Sequence, residues 1–226
     1  MTINQQIKAM FFLAALTVAV MSCHSTMLEH TKKDQDILSL VRKNDTEGLS
    51  KALKDGADVN TRDHSKQSLL LMATINKQTE MAKLLVKHGA DVNLQADNQD
   101  SPFLYAGASG QTELVRLFLN HGARFDIFNR YKGTALIPAC ERGHVETVRL
   151  LANTKGFPIN HVNRLGWTAL MEAIVLGDGG PKYQEIVQIL KDAGAQLDIP
   201  DHHGITPLKH AQTKEYLEIV KILTSL

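Results

Sequence analysis

A five-residue motif returns along this chain at a fixed interval. Gly56-Ala57-Asp58-Val59-Asn60 recurs 33 residues later at 89–93, and in altered form after another 33 residues at 122–126. A second motif keeps the same phase, and its copies begin at Ser68, Ser101, Thr134, Thr168 and Thr206. A period of this length predicts one small structural unit that is repeated and stacked, because no single unit could bury its apolar face alone.

Each unit has the signals of two helices. The Ser or Thr at the head of the second motif can cap a helix N-terminus, and Pro102 and Pro207 occupy the first turn, where a missing N–H does no harm. Apolar residues at helical spacing follow in the second half of each unit, and they place Leu117 and Leu150 in the predicted core. Each unit therefore predicts a helix-turn-helix pair.

The two motifs resemble the ankyrin repeat, which has a 33-residue period and a T-P-L-H-x-A motif. The resemblance covers about residues 34–226 and implies an all-α solenoid of stacked helix-turn-helix units with short β-hairpin connections. We expect an N-terminal cap at 34–62, repeats at 63–96, 97–129, 130–162 and 163–200, and a C-terminal cap at 201–226. The family's known role then implies protein–protein interaction.

The N-terminus has a different character from the repeats. Residues 9–20 are apolar, and such a segment is too short for a membrane span of about 20 residues but suits a signal peptide. Val20-Met21-Ser22-Cys23 resembles a bacterial lipobox, although Met21 departs from its usual Ser, Thr or Ala. We expect a signal peptide at 1–22, lipidation of Cys23 and a tether at 23–33. An ordinary cleaved signal and a retained membrane helix are the alternatives.

Composition argues against several functional classes. The formal charge is +1, from 25 basic and 24 acidic side chains, so the basic excess of a nucleic-acid binder is missing. The chain has only two cysteines, too few for a disulfide-stapled fold. The local histidine cluster at His202, His203 and His210 lacks ligand spacing. We expect a monomer that is not an enzyme and needs no cofactor, metal or small-molecule substrate.

A partner-binding surface follows from the resemblance. Ankyrin-like proteins bind through the tips of the connections and the inner-helix surface, which together form a concave groove. Binding sites also favour Trp, Tyr and Arg. The residues predicted on this basis are Met72, Tyr105, Arg130, Tyr131, Glu141, Arg142, Arg164, Trp167 and Glu172. Each of them has the alternative of being an ordinary solvated side chain, and a role in binding is open for the insertion at 177–183.

Together these features predict a binding module anchored in the bacterial cell envelope by lipid. The residue after Cys23 is His24 rather than Asp, which by resemblance favours the outer membrane, at its periplasmic face. One specific hypothesis is an immunity or inhibitor protein against a periplasm-acting effector, since some exported ankyrin lipoproteins have that role. A scaffold that supports an envelope enzyme or oxidative-stress defence is the main alternative. A host-directed effector is a third, which the lipobox disfavours.

Overall fold

The computed structural model describes residue 34 and residues 36–225. The predicted signal peptide at 1–22, the tether at 23–33 and Cys23 therefore lie outside the described residues. The helices of the described part are α1 (36–42), α2 (Thr46–Lys54), α3 (Leu69–Ile75), α4 (Thr79–Lys87), α5 (Pro102–Ala108), α6 (Thr112–Leu119), α7 (Leu136–Glu141), α8 (Val145–Ala152), α9 (Ala169–Val175), α10 (Pro181–Asp192), α11 (Pro207–Thr213) and α12 (Leu217–Thr224).

The helices stack as two layers. The short inner helices α3, α5, α7, α9 and α11 each contact the next one along the chain, and the outer helices α2, α4, α6, α8, α10 and α12 do the same. Close approach in the inner layer depends on small residues. A Cβ placed on Gly107 would lie 2.7 Å from the Cβ of Ala135 in the next repeat. The prediction of an all-α solenoid is confirmed.

The predicted β-hairpin connections are wrong in one respect. Among the described residues there is no strand, and the Arg62–Ser68 pair is an isolated β-bridge. Each connection is instead a tight turn closed by two backbone hydrogen bonds, such as Asn163 N–H to the carbonyl of Trp167 and Gly166 N–H to the carbonyl of Asn163, both at 3.0 Å. An Asp or Asn side chain also accepts from two amides inside most of these turns, and this local bonding competes with a strand ladder.

Hydroxyl caps begin most inner helices as the sequence predicts. Ser68, Ser101, Thr168 and Thr206 each accept a hydrogen bond from the amide three residues on, at 3.1–3.3 Å. Thr134 makes no such bond, and α7 begins only at Leu136. Pro138 has no N–H to donate to the carbonyl of Thr134, the bond with which the other four helices begin.

The C-terminal unit is a polar cap. Lys209 and Gln212 are exposed in α11, whereas Met171 and Ile174 at the equivalent positions of α9 are buried under the next repeat. A terminal repeat has no neighbour on its outer side, so polar residues there maintain solubility. Over residues 34 and 36–225, no helix has both the length and the apolar character needed to cross a bilayer.

Candidate partner-binding groove

A groove of about 360 Å³ lies on the inner-helix side of the third and fourth repeats, between the turns at 129–133 and 163–165 and the inner helices α7 and α9. We call it the middle groove. The residues that line it are Asn129, Arg130, Tyr131, Gly133, Ile137, Pro138, Glu141, Arg142, Asn163, Leu165, Glu172 and Leu176. The turns position its rim, and the inner helices supply its floor.

The middle groove brings together five of the predicted partner-binding residues, namely Arg130, Tyr131, Glu141, Arg142 and Glu172. The remaining four do not line it. Arg164 is exposed beside its rim, and Tyr105 and Trp167 are partly buried in α5 and in the turn before α9. Met72 is only 6% exposed in α3 and offers a partner little surface.

Apolar side chains stand open to solvent around the middle groove. Tyr131 is 42% exposed, Leu165 46% and Leu176 48%, while Ile137 and Pro138 are buried in the floor. A wider hollow of about 580 Å³ between the outer helices α2 and α4 is lined mainly by charged and hydroxyl side chains. The middle groove is the better candidate site, because a desolvated apolar centre carries most of the free energy of a protein interface.

Two arginines hold the tyrosine of the rim. The guanidinium carbon of Arg130 lies 5.0 Å from the centroid of the Tyr131 ring, and that of Arg164 lies 5.7 Å from it. The amide of Arg164 also donates to the carbonyl of Tyr131 at 2.8 Å, which joins the two adjacent turns. These contacts favour one position of the Tyr131 ring, which lowers the ordering entropy that a partner pays when it contacts the ring.

A buried carboxylate lies in the floor of the middle groove. Glu172 is 5% exposed, and its Oε1 accepts a 2.8 Å hydrogen bond from Asn163 Nδ2. Burial raises the pKa of Glu172 to about 7 and the negative charge of Glu141 adds to the rise, while the bond from Asn163 and the charge of Arg142 oppose it. Near neutral pH the empty groove therefore holds this carboxyl group in both protonation states.

Asn163 was missing from the residues predicted as the site. Its Oδ1 accepts from the amides of Leu165 and Trp167, so it shapes the rim while its amide group holds Glu172. The sequence does hold a signal that could have identified Asn163. An Asp or Asn recurs at the same position of four repeats, at Asp63, Asn129, Asn163 and Asp201. In the next unit, Asp201 Oδ2 and His210 Nε2 lie 2.8 Å apart at the equivalent positions.

A buried thiol lies next to the middle groove, on the same inner helix as Glu141. The nearest thiol, Cys140, is buried in α7, and burial raises its pKa well above the ordinary value, which keeps it protonated and unreactive. In the part of the chain that the structure describes, no cluster of His, Cys, Asp and Glu side chains could hold a metal ion. What remains is an apolar rim, an arginine pair and a buried carboxyl group.

Comparison with known proteins agrees with this architecture. A family model of ankyrin repeats in three copies matches residues 37–129 and 125–201. The crystal structure of an ankyrin repeat domain from Acinetobacter baumannii AYE superposes with a TM-score of 0.81 at 47% identity, covering 83% of this chain and 95% of that chain. The ankyrin repeat protein EF0377 superposes with a TM-score of 0.81 at 40% identity, covering 84% and 96% of the two chains.

A curated relative is the protein YahD of Escherichia coli strain K12, which is named as an ankyrin repeat protein. It is 47% identical over 73 residues, which are 32% of this chain and 36% of that protein. The chain thus matches about a third of this relative's length.

Proposed function

Because the chain belongs to the ankyrin-repeat family, whose members generally mediate protein–protein interaction, we propose that it captures a partner protein in the middle groove. The observation that carries the proposal is the exposure of Tyr131, Leu165 and Leu176 around one preformed hollow. Exposed apolar side chains grouped on a concave surface mark an interaction site more strongly than single exposed residues do.

The proposal includes an anchored location. The apolar segment at 9–20 and the Val20-Met21-Ser22-Cys23 junction support export and lipidation of Cys23, with the repeats facing the periplasm from the outer membrane. Three acyl chains, as in bacterial lipoproteins, exceed the two that stable anchoring requires. A module held there could meet a partner only in the same compartment.

Within that location, the specific function that we propose is neutralisation of an effector that acts in the periplasm. A preformed groove with a tyrosine between two arginines at its rim suits this task, because preorganised surfaces lose little entropy when they bind and so reach high affinity. The family supplies non-enzymatic interaction scaffolds, so neutralisation by occupying the effector's surface requires no chemistry from this chain.

The test begins with capture of envelope proteins on the full chain, followed by a binding titration of the captured partner. Tyr131→Ala and Leu176→Ala should each weaken binding by about 30-fold, which corresponds to roughly 2 kcal/mol. Leu217→Ala is the matched control, because Leu217 is 70% exposed on α12, outside the middle groove. Trp167→Ala and Tyr105→Ala test the wider predicted set in the same titration.

Circular dichroism of each variant checks that the fold is intact. Unchanged binding by both groove variants, together with loss of binding on a substitution of the outer-helix face, would show that the groove is the wrong surface. For the effector hypothesis, the captured partner should be toxic when produced in the periplasm, and co-expression of this chain should restore growth. A captured envelope enzyme whose level falls without this chain would favour the scaffold alternative instead.

A further inference from the structure

The side chains of the middle groove also indicate the chemistry of the segment that a partner would place there. We propose that the middle groove selects a segment that places one cationic side chain, a lysine or an arginine, against Glu172 while apolar neighbours contact Leu165 and Leu176. This inference rests on the proposed function, and it assigns the kind of segment that the groove binds.

The carboxylate of Glu172 can accept more hydrogen bonds than the fold supplies. Asn163 Nδ2 donates to one of its carboxylate oxygens, and among the residues that the structure describes no donor reaches the other. An ionised carboxylate can accept about four hydrogen bonds, and the second oxygen of Glu172 is not among the buried atoms that lack a partner, so it is open to the groove. Because Glu172 lines the groove, a donor that enters from outside can supply what the fold does not.

The arginines of the groove do not satisfy that need. Arg142 Nη1 donates to the carbonyl of Ala108 at 2.7 Å, and Arg130 lies over the ring of Tyr131. In the described part of the chain, no ion pair involves either Glu172 or Glu141. A partner's cation would therefore meet two carboxyl groups that form no ion pair, and it would add to the effect of the Arg142 charge, which already favours the ionised form of Glu172.

The other ionisable groups around Glu172 do not change this balance. Helix α9 packs against α7, α10 and α11. Tyr183 of α10 donates its hydroxyl to the carbonyl of Glu141, and His210 of α11 is held by Asp201. The charged groups that act on Glu172 are Glu141 of α7 and Arg142, the residue after it, and Glu172 in turn acts on the thiol of Cys140.

A bound cation has a measurable consequence for the pH dependence of binding. The free chain holds the pKa of Glu172 at about 7, and a neighbouring positive charge lowers the pKa of a carboxyl group. Binding at pH 6 then releases a proton, so the affinity rises with pH. For a bound pKa of about 5, the affinity should increase roughly tenfold between pH 6 and pH 8.

The probe is a displayed library of random dodecapeptides, selected at pH 7.5 against the full chain with Cys23→Ser and against the same chain with Glu172→Gln added. Glutamine keeps an oxygen that can accept from Asn163, removes the charge and replaces the second oxygen with an NH2 group. The parent should enrich peptides that carry a lysine or an arginine beside apolar residues, and Glu172→Gln should lose that enrichment. A selected peptide and its version with the cation replaced by glutamine are then titrated at pH 6 and pH 8.

We expect about a tenfold gain in affinity with pH for the parent and the cationic peptide, and a flat profile for Glu172→Gln. An affinity that falls with pH would mean that protonated Glu172 donates to the partner, and it overturns the inference. Enrichment of peptides that carry no lysine or arginine also overturns the inference. If Tyr131→Ala weakens peptide binding while Glu172→Gln does not, the inference fails and the groove function stands. If neither Tyr131→Ala nor Glu172→Gln weakens peptide binding, both the inference and the proposed groove function fail.

Discussion

Asn163 Nδ2 donates a 2.8 Å hydrogen bond to Glu172 Oε1 while Asn163 Oδ1 accepts from the amides of Leu165 and Trp167. One side chain therefore fixes the shape of a turn and the position of a buried carboxyl group on the following inner helix. The next unit repeats the contact as Asp201 with His210. The solenoid thus offers the same pair of positions in successive units, and the residues at that pair set the local charge of the concave surface.

The first prediction concerns the stability of the fold against pH. The pKa of Glu172 is about 7 in the folded chain, whereas the ordinary value for a glutamate, which applies to the unfolded chain, is 4.5. Between these values the folded state keeps a proton that the unfolded state releases, so the free energy of unfolding falls as pH rises through this window. The loss should amount to roughly 3 kcal/mol by pH 8.

Glu172→Gln isolates this effect because glutamine does not titrate and the other ionisable groups are the same in both chains. The quantity to measure is the difference in the free energy of unfolding between parent and variant, from denaturant titrations at pH 5 and pH 8. We expect the free energy of unfolding of the parent to fall relative to that of Glu172→Gln as the pH rises. A difference that does not depend on pH would show that the Glu172 carboxyl is not destabilised by burial.

The second prediction is that Cys23 is acylated. Labelled fatty acid supplied to a bacterial host should enter the full chain, and Cys23→Ser should abolish the labelling. Cys140→Ser is the matched control, because Cys140 is a buried thiol that should remain unmodified and its loss should leave the labelling intact. Label that persists in Cys23→Ser, or a parent without label, would contradict lipidation at this site.

The repeat period predicted the fold because it shows which residues are equivalent. Equivalent positions take equivalent structure, and so the caps at Ser68, Ser101, Thr168 and Thr206 followed from one motif. The period could not show how exposed each copy is. Met72 and Tyr105 occupy the same repeat position as Glu172, yet their exposure differs with the neighbours that cover them.

The contact between Asn163 and Glu172 cannot be predicted from the sequence. It joins a turn to a helix nine residues further on, and the bend of the chain between them decides whether the two side chains meet. The departure at Thr134 could have been predicted, because Pro138 lacks the N–H that opens the other inner helices. Local backbone chemistry is readable from sequence, whereas contacts between elements depend on their packing.

The third prediction separates the core from the surface. Leu151 is fully buried in α8, so Leu151→Ala should cost about 2–5 kcal/mol through the cavity that it leaves. Leu217→Ala, at an exposed leucine of α12, should change the free energy of unfolding by no more than about 0.5 kcal/mol.

Leu117 and Leu150, which the sequence placed in the core, are only partly buried against it, and their substitution by alanine should fall between these limits. Denaturant titration of the four variants measures the order of the costs. Equal losses at Leu151 and Leu217 would contradict the placement of the core.

The last prediction compares two threonines at the same position of adjacent repeats. Thr168 Oγ1 accepts from the amide of Met171 at 3.1 Å, whereas the buried Oγ1 of Thr134 has no hydrogen-bond partner among the described residues. Thr168→Val should cost about 1 kcal/mol, because it removes a helix cap and leaves an amide without an acceptor. Thr134→Val should be neutral or stabilise by up to about 1 kcal/mol, since valine has the same shape and no hydroxyl to desolvate. Both substitutions replace a threonine with a valine, so their effects on the unfolded chain cancel in the comparison. The free energies of unfolding from urea titration give the two costs, and a loss at Thr134 as large as that at Thr168 would mean that its hydroxyl does cap α7.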